Sequence, residues 1–91
     1  MLNFEWNPEK AESNIRKHGV TFEEGAMVLR DPLSSTTYDP DHSHEEERFL
    51  TIGSSDLGKI LVVSHVDRGD KIRIISVRRA TRREQRAYEN G

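Results

Sequence analysis

The chain has 91 residues and a formal net charge of −2, which suits one domain built around one small hydrophobic core. A third of the residues are charged and a third are hydrophobic, yet the apolar residues fall in periodic runs, so we do not expect disorder; the absence of cysteine excludes disulfide bonds and cysteine-ligated zinc. The start resembles no secretion signal, and the longest apolar run, residues 60–63, is too short to span a membrane, so we expect a cytoplasmic protein without membrane contact.

The first third of the chain predicts a strand and two helices. Apolar and polar residues alternate over residues 2–6, as in a short half-buried strand. The Asn-Pro pair at 7–8 and the glycine at 19 are typical of a helix start and a helix end, so a helix is predicted between them. A capping box at 21–24 opens a second helix, which the Asp-Pro pair at 31–32 ends.

The remainder predicts four strands and a last helix. Residues 36–38 have strand character, and residues 39–47 read as an acidic loop. A three-stranded meander follows, over about 48–53, 59–67 and 71–79, before a capping box at 81–84 opens the final helix. The order β-α-α-β-β-β-β-α is typical of an α+β fold, and its short connections favour antiparallel neighbours.

Positive charge is concentrated at the end of the chain. Residues 68–91 hold eight basic residues against three acidic ones, a local net charge of +5, whereas residues 1–67 hold six against thirteen, a net of −7. Seven of the eight basic residues are arginine, whose planar fork of donors fits phosphate two hydrogen bonds at a time. A nucleic acid or an acidic protein partner is the expected counterpart.

Several segments resemble the BrnT family of bacterial toxins. They are FEWNPEKA at 4–11, NIRKHGVTFEE at 14–24, DPDHS at 39–43, EERF at 46–49, RIISVRRATRRE at 73–84 and YE at 88–89. One mild departure is Asn7, where the family commonly has aspartate; both residues cap helices.

The resemblance implies a single BrnT-like toxin domain over residues 1–91. Its expected fold is RelE/ParE-like: a twisted antiparallel sheet with two N-terminal helices and one C-terminal helix. The expected activity is that of a type II toxin–antitoxin endoribonuclease that arrests growth. The expected partners are an RNA substrate and a cognate DNA-binding antitoxin of the BrnA type.

The arginine-rich end is the first candidate site. RNA cleavage without a metal needs a base, an acid and cations that stabilise the pentavalent phosphate, and arginine supplies the cations. Alternation along strand 71–79 predicts that Arg73 and Arg79 share a face, about 20 Å apart. We assign a catalytic role to Arg73, Arg78 and Arg79, and RNA binding to Lys71, Arg82, Arg83 and Arg86. Alternatively, these arginines form a solvated face or pair with Glu84 and Glu89 on the helix.

Two residues are candidates for proton transfer. His65 lies on a predicted central strand, next to the strand that carries Arg73, and an imidazole titrates near neutral pH. Alternatively, His65 is a packed, hydrogen-bonded core residue. Tyr88 is the second candidate, although its spacing suits equally a residue that docks the last helix on the sheet. The acidic loop holds His42 and His44, but their spacing matches no known zinc motif, so we expect no bound metal and no cofactor.

Two other functions remain open from the sequence. One is a binding module that holds nucleic acid or an acidic peptide without cutting it. The other is a gyrase-directed toxin of the ParE kind. We favour a metal-independent endoribonuclease that leaves a cyclic phosphate.

Overall fold

The computed structural model describes residues 2–91 and contains each predicted element in the predicted order. The strands are β1 (Asn3–Glu5), β2 (Ser35–Tyr38), β3 (Phe49–Ser54), β4 (Ile60–Arg68) and β5 (Lys71–Arg79). The helices are α1 (Pro8–His18), α2 (Phe22–Leu29) and α3 (Arg82–Glu89), and a 3₁₀ turn, Pro40–His42, lies within the predicted acidic loop.

The helices begin and end where the sequence signals predicted. The Asn7 side chain accepts a hydrogen bond from the amide of Glu9, and Gly19 adopts a left-handed φ of 70° at the end of α1. Both capping boxes are formed, one at the start of α2 and one at the start of α3. Within residues 2–91, no helix has both the length and the apolar character needed to cross a membrane.

The five strands form one mixed sheet in the order β1-β5-β4-β3-β2. β1 runs parallel to β5, and the other neighbours are antiparallel. The prediction of a wholly antiparallel sheet is therefore wrong at one pair. Short connections constrain only strands that follow one another along the chain, whereas β1 pairs with the last strand and reaches it through all the intervening elements.

A bulge in β5 changes the face of the sheet to which its first residues point, relative to simple alternation. Ser64 pairs with Ser76, but the next residue of β4, His65, pairs with Ile74, so Ile75 has no partner on β4. Directly opposed residues point to the same face of a sheet.

The bulge changes which arginines share a face. Arg79 lies opposite Leu61, whereas Arg78 lies opposite Val62 and Arg73 opposite Val66. Arg73 therefore shares a face with Arg78 and not with Arg79, and the prediction from simple alternation is wrong at this point.

The main core lies between the sheet and the first two helices. α1 and α2 pack on one face, and the buried cluster there comprises Val20, Phe22, Ala26, Val28, Leu61, Val63, Ile74 and Val77. Phe4 and Trp6 pack against this cluster, and the Trp6 ring meets Phe22 edge-on at 5.9 Å between centroids. The aromatic residues near the N-terminus are thus partly buried against the core.

The buried side chain of Asn14 extends the sheet beyond the end of β1. β1 pairs only with residues 71–73 of β5, which leaves the outer backbone groups of Val77 without a strand partner. The Asn14 amide donates to the carbonyl of Val77 at 2.8 Å and to that of Val20 at 3.1 Å, and its oxygen accepts from the Val77 amide at 3.1 Å. One asparagine from α1 therefore replaces a strand residue at the edge of β5.

Candidate nucleic-acid interface

The face of the sheet opposite α1 and α2 carries a row of basic residues. The register of β4 and β5 places Arg68, Lys71, Arg73 and Arg78 on this side, and we call these four residues the cationic face. Between its ends lie the half-buried Ser64 and Ser76. Helix α3 crosses the same side, above Val62 and Ile52 of the neighbouring strands. The structure thus brings together four basic residues that alternation alone distributes between both faces.

Arg73 is the arginine of this face with the loosest ion pairing, since Arg68 and Arg78 each lie within 2.9 Å of a carboxylate oxygen. Its guanidinium lies 4.0 Å from a carboxylate oxygen of Glu5, its cross-strand partner on β1, at the outer limit of an ion pair. Its side chain is 28% exposed. The donors of Arg73 are therefore available to a phosphate without the loss of a close internal salt bridge.

Arg78 is held by helix α3. Its guanidinium donates two hydrogen bonds to Glu84, at 2.8 and 3.0 Å. This bidentate contact is the largest cause that lowers the pKa of the Glu84 carboxyl to about 2, and the same contact raises the pKa of Arg78. Glu84 also accepts from the amide of Thr81 at 2.8 Å, so one carboxylate caps α3 and fastens it to β5.

The outer side of α3 carries three exposed arginines. Arg82, Arg83 and Arg86 have no ion pair within 4.0 Å in the part of the chain that the structure describes, residues 2–91. Of their two expected helical partners, Glu84 is engaged by Arg78. The structure therefore leaves these three arginines facing solvent, as an RNA-binding role requires.

Tyr88 fastens the other end of α3. Its hydroxyl donates to Asp31 Oδ2 at 2.6 Å, and the same oxygen accepts from the amide of Ser54 at 2.8 Å. The pKa of Tyr88 is raised, chiefly by this hydrogen bond to Asp31. The pKa of Asp31 is lowered, first by the Ser54 amide and then by Tyr88. The geometry is that of a docking contact, the alternative considered for Tyr88.

His65 lies on the opposite face, with Leu61 and Val63, and is only 3% exposed. Its Nδ1 lies 3.0 Å from Asp67 Oδ1 and its Nε2 lies 2.8 Å from Thr51 Oγ1, so Nδ1 donates to the carboxylate and Nε2 accepts from the hydroxyl. Burial lowers the pKa of His65, and Asp67 partly opposes that effect. The imidazole is therefore neutral at physiological pH.

The remaining predicted residues are distributed over the surface. Arg79 is exposed on the α1–α2 side, opposite Leu61, away from the cationic face. Lys71 is exposed at the start of β5. In the acidic loop, His42 Nδ1 lies 2.8 Å from Asp39 Oδ2, and no group of three or more potential metal-ligating side chains is found within residues 2–91.

Sequence reasoning missed two carboxylates that hold the candidate residues. Asp67 follows His65 by two residues on the same strand, a spacing that puts both side chains on one face, and this signal was readable in the sequence. Asp31 lies far from Tyr88 along the chain, and nothing in the sequence indicated that contact.

A family model described as the BrnT ribonuclease toxin of type II toxin–antitoxin systems matches residues 6–84. Among solved structures, the chain is similar to the 1.1 Å crystal structure of the Brucella abortus ribonuclease toxin BrnT, with a TM-score of 0.63 and 26% sequence identity. That alignment covers 90% of this chain and 99% of the Brucella chain. No curated protein has a sequence that matches this one.

These similarities favour the ribonuclease over the two other functions that the sequence left open, a binding module and a gyrase-directed toxin. A toxin of a type II system has a protein antitoxin and, for a ribonuclease, an RNA target. Since the family model covers most of the sequence, the chain belongs to the BrnT family of ribonuclease toxins of type II toxin–antitoxin systems.

Proposed function

We propose that this toxin cleaves RNA without a metal ion, and that the RNA lies on the cationic face and along the outer side of α3. The observation that carries the proposal is the clustering of Arg68, Lys71, Arg73 and Arg78 on one face of β4 and β5. The exposed arginines of α3 extend this positive surface. Single-stranded RNA is held in such grooves by its phosphates.

Within this surface, we place the scissile phosphate at the end of the sheet where β4 and β5 meet in their hairpin. Arg73 and Lys71 lie there, and the nearest carboxylate to Arg73 is at 4.0 Å. A guanidinium at this point stabilises the charge that develops on the pentavalent phosphate. Arg78 acts differently, because its donors hold Glu84 and thereby fix the position of α3.

The proton-transfer group in this proposal is the pair of His65 and Asp67. Both lie at the same hairpin end as Arg73 but on the other face of the sheet, since Val66, the residue between them, is the cross-strand partner of Arg73. The Asp67 side chain is 58% exposed, whereas that of His65 is 4% exposed. Asp67 is therefore the member that an RNA 2′-hydroxyl reaches as it approaches over the end of the sheet. Its carboxylate takes the hydroxyl proton as the 2′-oxygen bonds to phosphorus, and the 5′-oxygen leaves with a proton from solvent. The neutral imidazole behind Asp67 orients the carboxylate through the Nδ1 hydrogen bond.

The proposal also covers the domain, the place of action and the antitoxin of this toxin. We infer that residues 1–91 act as one toxin domain of the RelE/ParE superfamily and that the toxin works in the cytoplasm. We further infer that its antitoxin is a DNA-binding protein of the BrnA type, so that the complex represses its own gene.

The decisive experiment is cleavage of a fluorescently labelled single-stranded RNA by the purified chain in the presence of EDTA. Wild-type protein should cleave and leave a 2′,3′-cyclic phosphate. Arg73→Gln should lower the cleavage rate by about 10²- to 10³-fold, the usual loss when one donor to a developing anion is removed. The matched control is Arg16→Gln, which removes an exposed arginine from α1. An Arg73→Gln protein as active as the control would contradict the assignment of the phosphate site.

The proton-transfer pair is tested in the same assay. His65→Gln and Asp67→Asn should each lower the cleavage rate by about 10²- to 10⁴-fold with little change in RNA affinity. Tyr88→Phe tests the alternative. If Tyr88→Phe abolishes cleavage while His65→Gln leaves it intact in a folded protein, the proton-transfer role belongs to Tyr88.

A further inference from the structure

The outer edge of the sheet is formed by β2, whose four residues are all exposed. The amide of Asp39 donates a hydrogen bond to the carbonyl of Arg48. Because hydrogen-bonded pairs alternate along an antiparallel ladder, residues 39, 37 and 35 are the ones whose backbone groups bond to β3. The backbone N–H and C=O groups of Thr36 and Tyr38 consequently point outward. Within residues 2–91, no other strand pairs with this edge, so it is a ready template for an added strand.

A groove of about 760 Å³ runs beside this edge, between the sheet and α3. Its floor includes Leu50, Ile52 and Val62, and its wall on the helix is formed by Ala87 and Tyr88. Ser35 and Thr37 line the groove at the edge, whereas Thr36 and Tyr38, which pair with Thr51 and Phe49, do not.

The groove extends past the start of β2, where Leu33 lines it and is 77% exposed. Leu33 is the most exposed of the large apolar residues in the described chain. An apolar groove that continues into an exposed leucine is typical of a protein-binding surface.

We propose that β2 and this groove together bind an extended segment of the protein antitoxin, which adds to the sheet as a sixth strand. The added strand pairs with the outward backbone groups of Thr36 and Tyr38. Its residues opposite Ser35 and Thr37 point to the α3 side and place apolar side chains in the groove. This inference rests on the proposed toxin–antitoxin function and adds the docking surface and the chemistry of the docked segment.

The negative charge beside β2 favours, as the occupant of this edge, a protein segment with a basic residue at its end. Of the five acidic residues within positions 39–47, directly after Tyr38, Asp39 is buried and Glu46 binds Arg68 at 2.9 Å, which leaves the exposed carboxylates of Asp41, Glu45 and Glu47. These carboxylates repel an RNA phosphate backbone and attract a basic residue at the end of a docked segment that lies beside them.

A second copy of this chain fits the edge poorly. Antiparallel pairing of two β2 strands across a two-fold axis would place the acidic segment of each copy beside the start of β2 in the other. Glu89 lines the groove at that end, so like charges would face each other.

Hydrogen exchange followed by NMR of the full chain, with and without its purified cognate antitoxin, tests this edge directly. In the free toxin the amides of Thr36 and Tyr38 should exchange quickly, whereas that of Thr37 is already bonded to β3 and serves as the internal control. Complex formation should slow the exchange of Thr36 and Tyr38. A complex that leaves both amides unprotected would overturn the proposal.

A pair of matched variants tests the groove. Leu33→Asp should weaken antitoxin binding by about tenfold or more, since one leucine loses its apolar contact. Leu57→Asp makes the same change at a residue that is 64% exposed, lies in the turn before β4 and lines no part of the groove, and it should leave the affinity unchanged. Equal affinities for the two variants would also overturn the proposal.

Two further outcomes would assign the edge to a different occupant and so refute the proposal. Protection of Thr36 and Tyr38 that rises with the concentration of the free toxin would indicate a second copy, and protection by single-stranded RNA alone would indicate the substrate. Failure of this inference is distinguishable from failure of the proposed function, because free Leu33→Asp toxin should cleave RNA at the wild-type rate whichever surface the antitoxin uses.

Discussion

The two faces of the sheet are covered to different degrees. On one face, α1 and α2 bury a continuous cluster in which Phe22, Leu61 and Val63 are fully inaccessible to solvent. On the other, α3 has no buried residue and leaves Leu50, Ser64 and Ser76 only half-buried. The first face supplies most of the apolar burial that stabilises the fold, and the second leaves basic and polar groups available to a ligand.

The helices of the two faces are also fastened by different chemistry. α2 packs through apolar side chains, and its buried Glu24 binds Lys59 at 2.7 Å. α3 is attached at its two ends by polar contacts, Arg78 to Glu84 and Tyr88 to Asp31. Such an attachment is pH-dependent and contributes less to stability than a buried apolar interface. Substitutions in the buried cluster beneath α1 and α2 should therefore affect folding, whereas substitutions on the second face should affect ligand binding.

The largest effect is expected at Asn14. Asn14→Ala removes three hydrogen bonds and leaves buried backbone groups of Val20 and Val77 unpaired, so the free energy of unfolding should fall by about 2–4 kcal/mol. Urea denaturation followed by circular dichroism measures this change. Ser13→Ala, an exposed neighbour on α1, is the control and should stay within about 0.5 kcal/mol of wild type. A small loss at Asn14 would mean that the edge of β5 does not depend on this side chain.

Substitutions on the outer side of α3 should have a moderate effect on RNA binding and little effect on folding. The triple variant Arg82→Gln, Arg83→Gln, Arg86→Gln should lower the affinity for single-stranded RNA about tenfold at moderate salt. Because each phosphate contact contributes about 0.7 to the slope of log affinity against log salt concentration, the slope should fall by up to about 2. Fluorescence anisotropy across a salt series measures both, with Arg16→Gln, Lys17→Gln as the control. An unchanged slope would show that the RNA does not reach this side of α3.

A smaller effect concerns the attachment of α3 at low pH. The folded-state pKa of Glu84, about 2, lies below its ordinary value of 4.5, so its ion pair stabilises the fold above about pH 4.5 and is lost as the pH falls towards 2. Because the two side chains are 34% and 38% exposed, solvent screening limits the contribution to about 1 kcal/mol. Glu84→Gln should remove this part of the pH dependence, as measured by thermal unfolding between pH 5 and pH 2. Parallel curves for the variant and wild type would indicate that α3 is held without Glu84.

The smallest effect is expected from His65 near neutral pH. Burial lowers its folded-state pKa below the ordinary value of 6.5, so the unfolded chain binds the proton more readily and stability falls as the pH drops below about 6.5. Above about pH 6.5, the contribution of His65 to the free energy of unfolding is fully present. His65→Gln should flatten the dependence of unfolding free energy on pH between 7 and 5. A curve for the variant as steep as that of wild type would place the titrating group elsewhere.

Local sequence signals predicted the helices and strands well, because each signal depends on a few neighbouring residues. The Asn-Pro start of α1, the glycine at its end and both capping boxes form as predicted. The parallel pairing of β1 with β5 was not predicted, since it joins residues far apart along the chain. The grouping of Arg73 with Arg78 was missed because one unpaired residue, Ile75, shifts the register.

The sequence by itself determined the order of the helices and strands, the concentration of arginine near the C-terminus and the family. All three depend on residue type and spacing along the chain, which short-range sterics, capping and hydrophobic periodicity translate into local structure. The tertiary structure alone decided which arginines share a face, which of them are held by carboxylates, and that His65 is buried. These properties depend on strand register and on contacts between distant segments, such as Tyr88 with Asp31, which only the packed chain brings together.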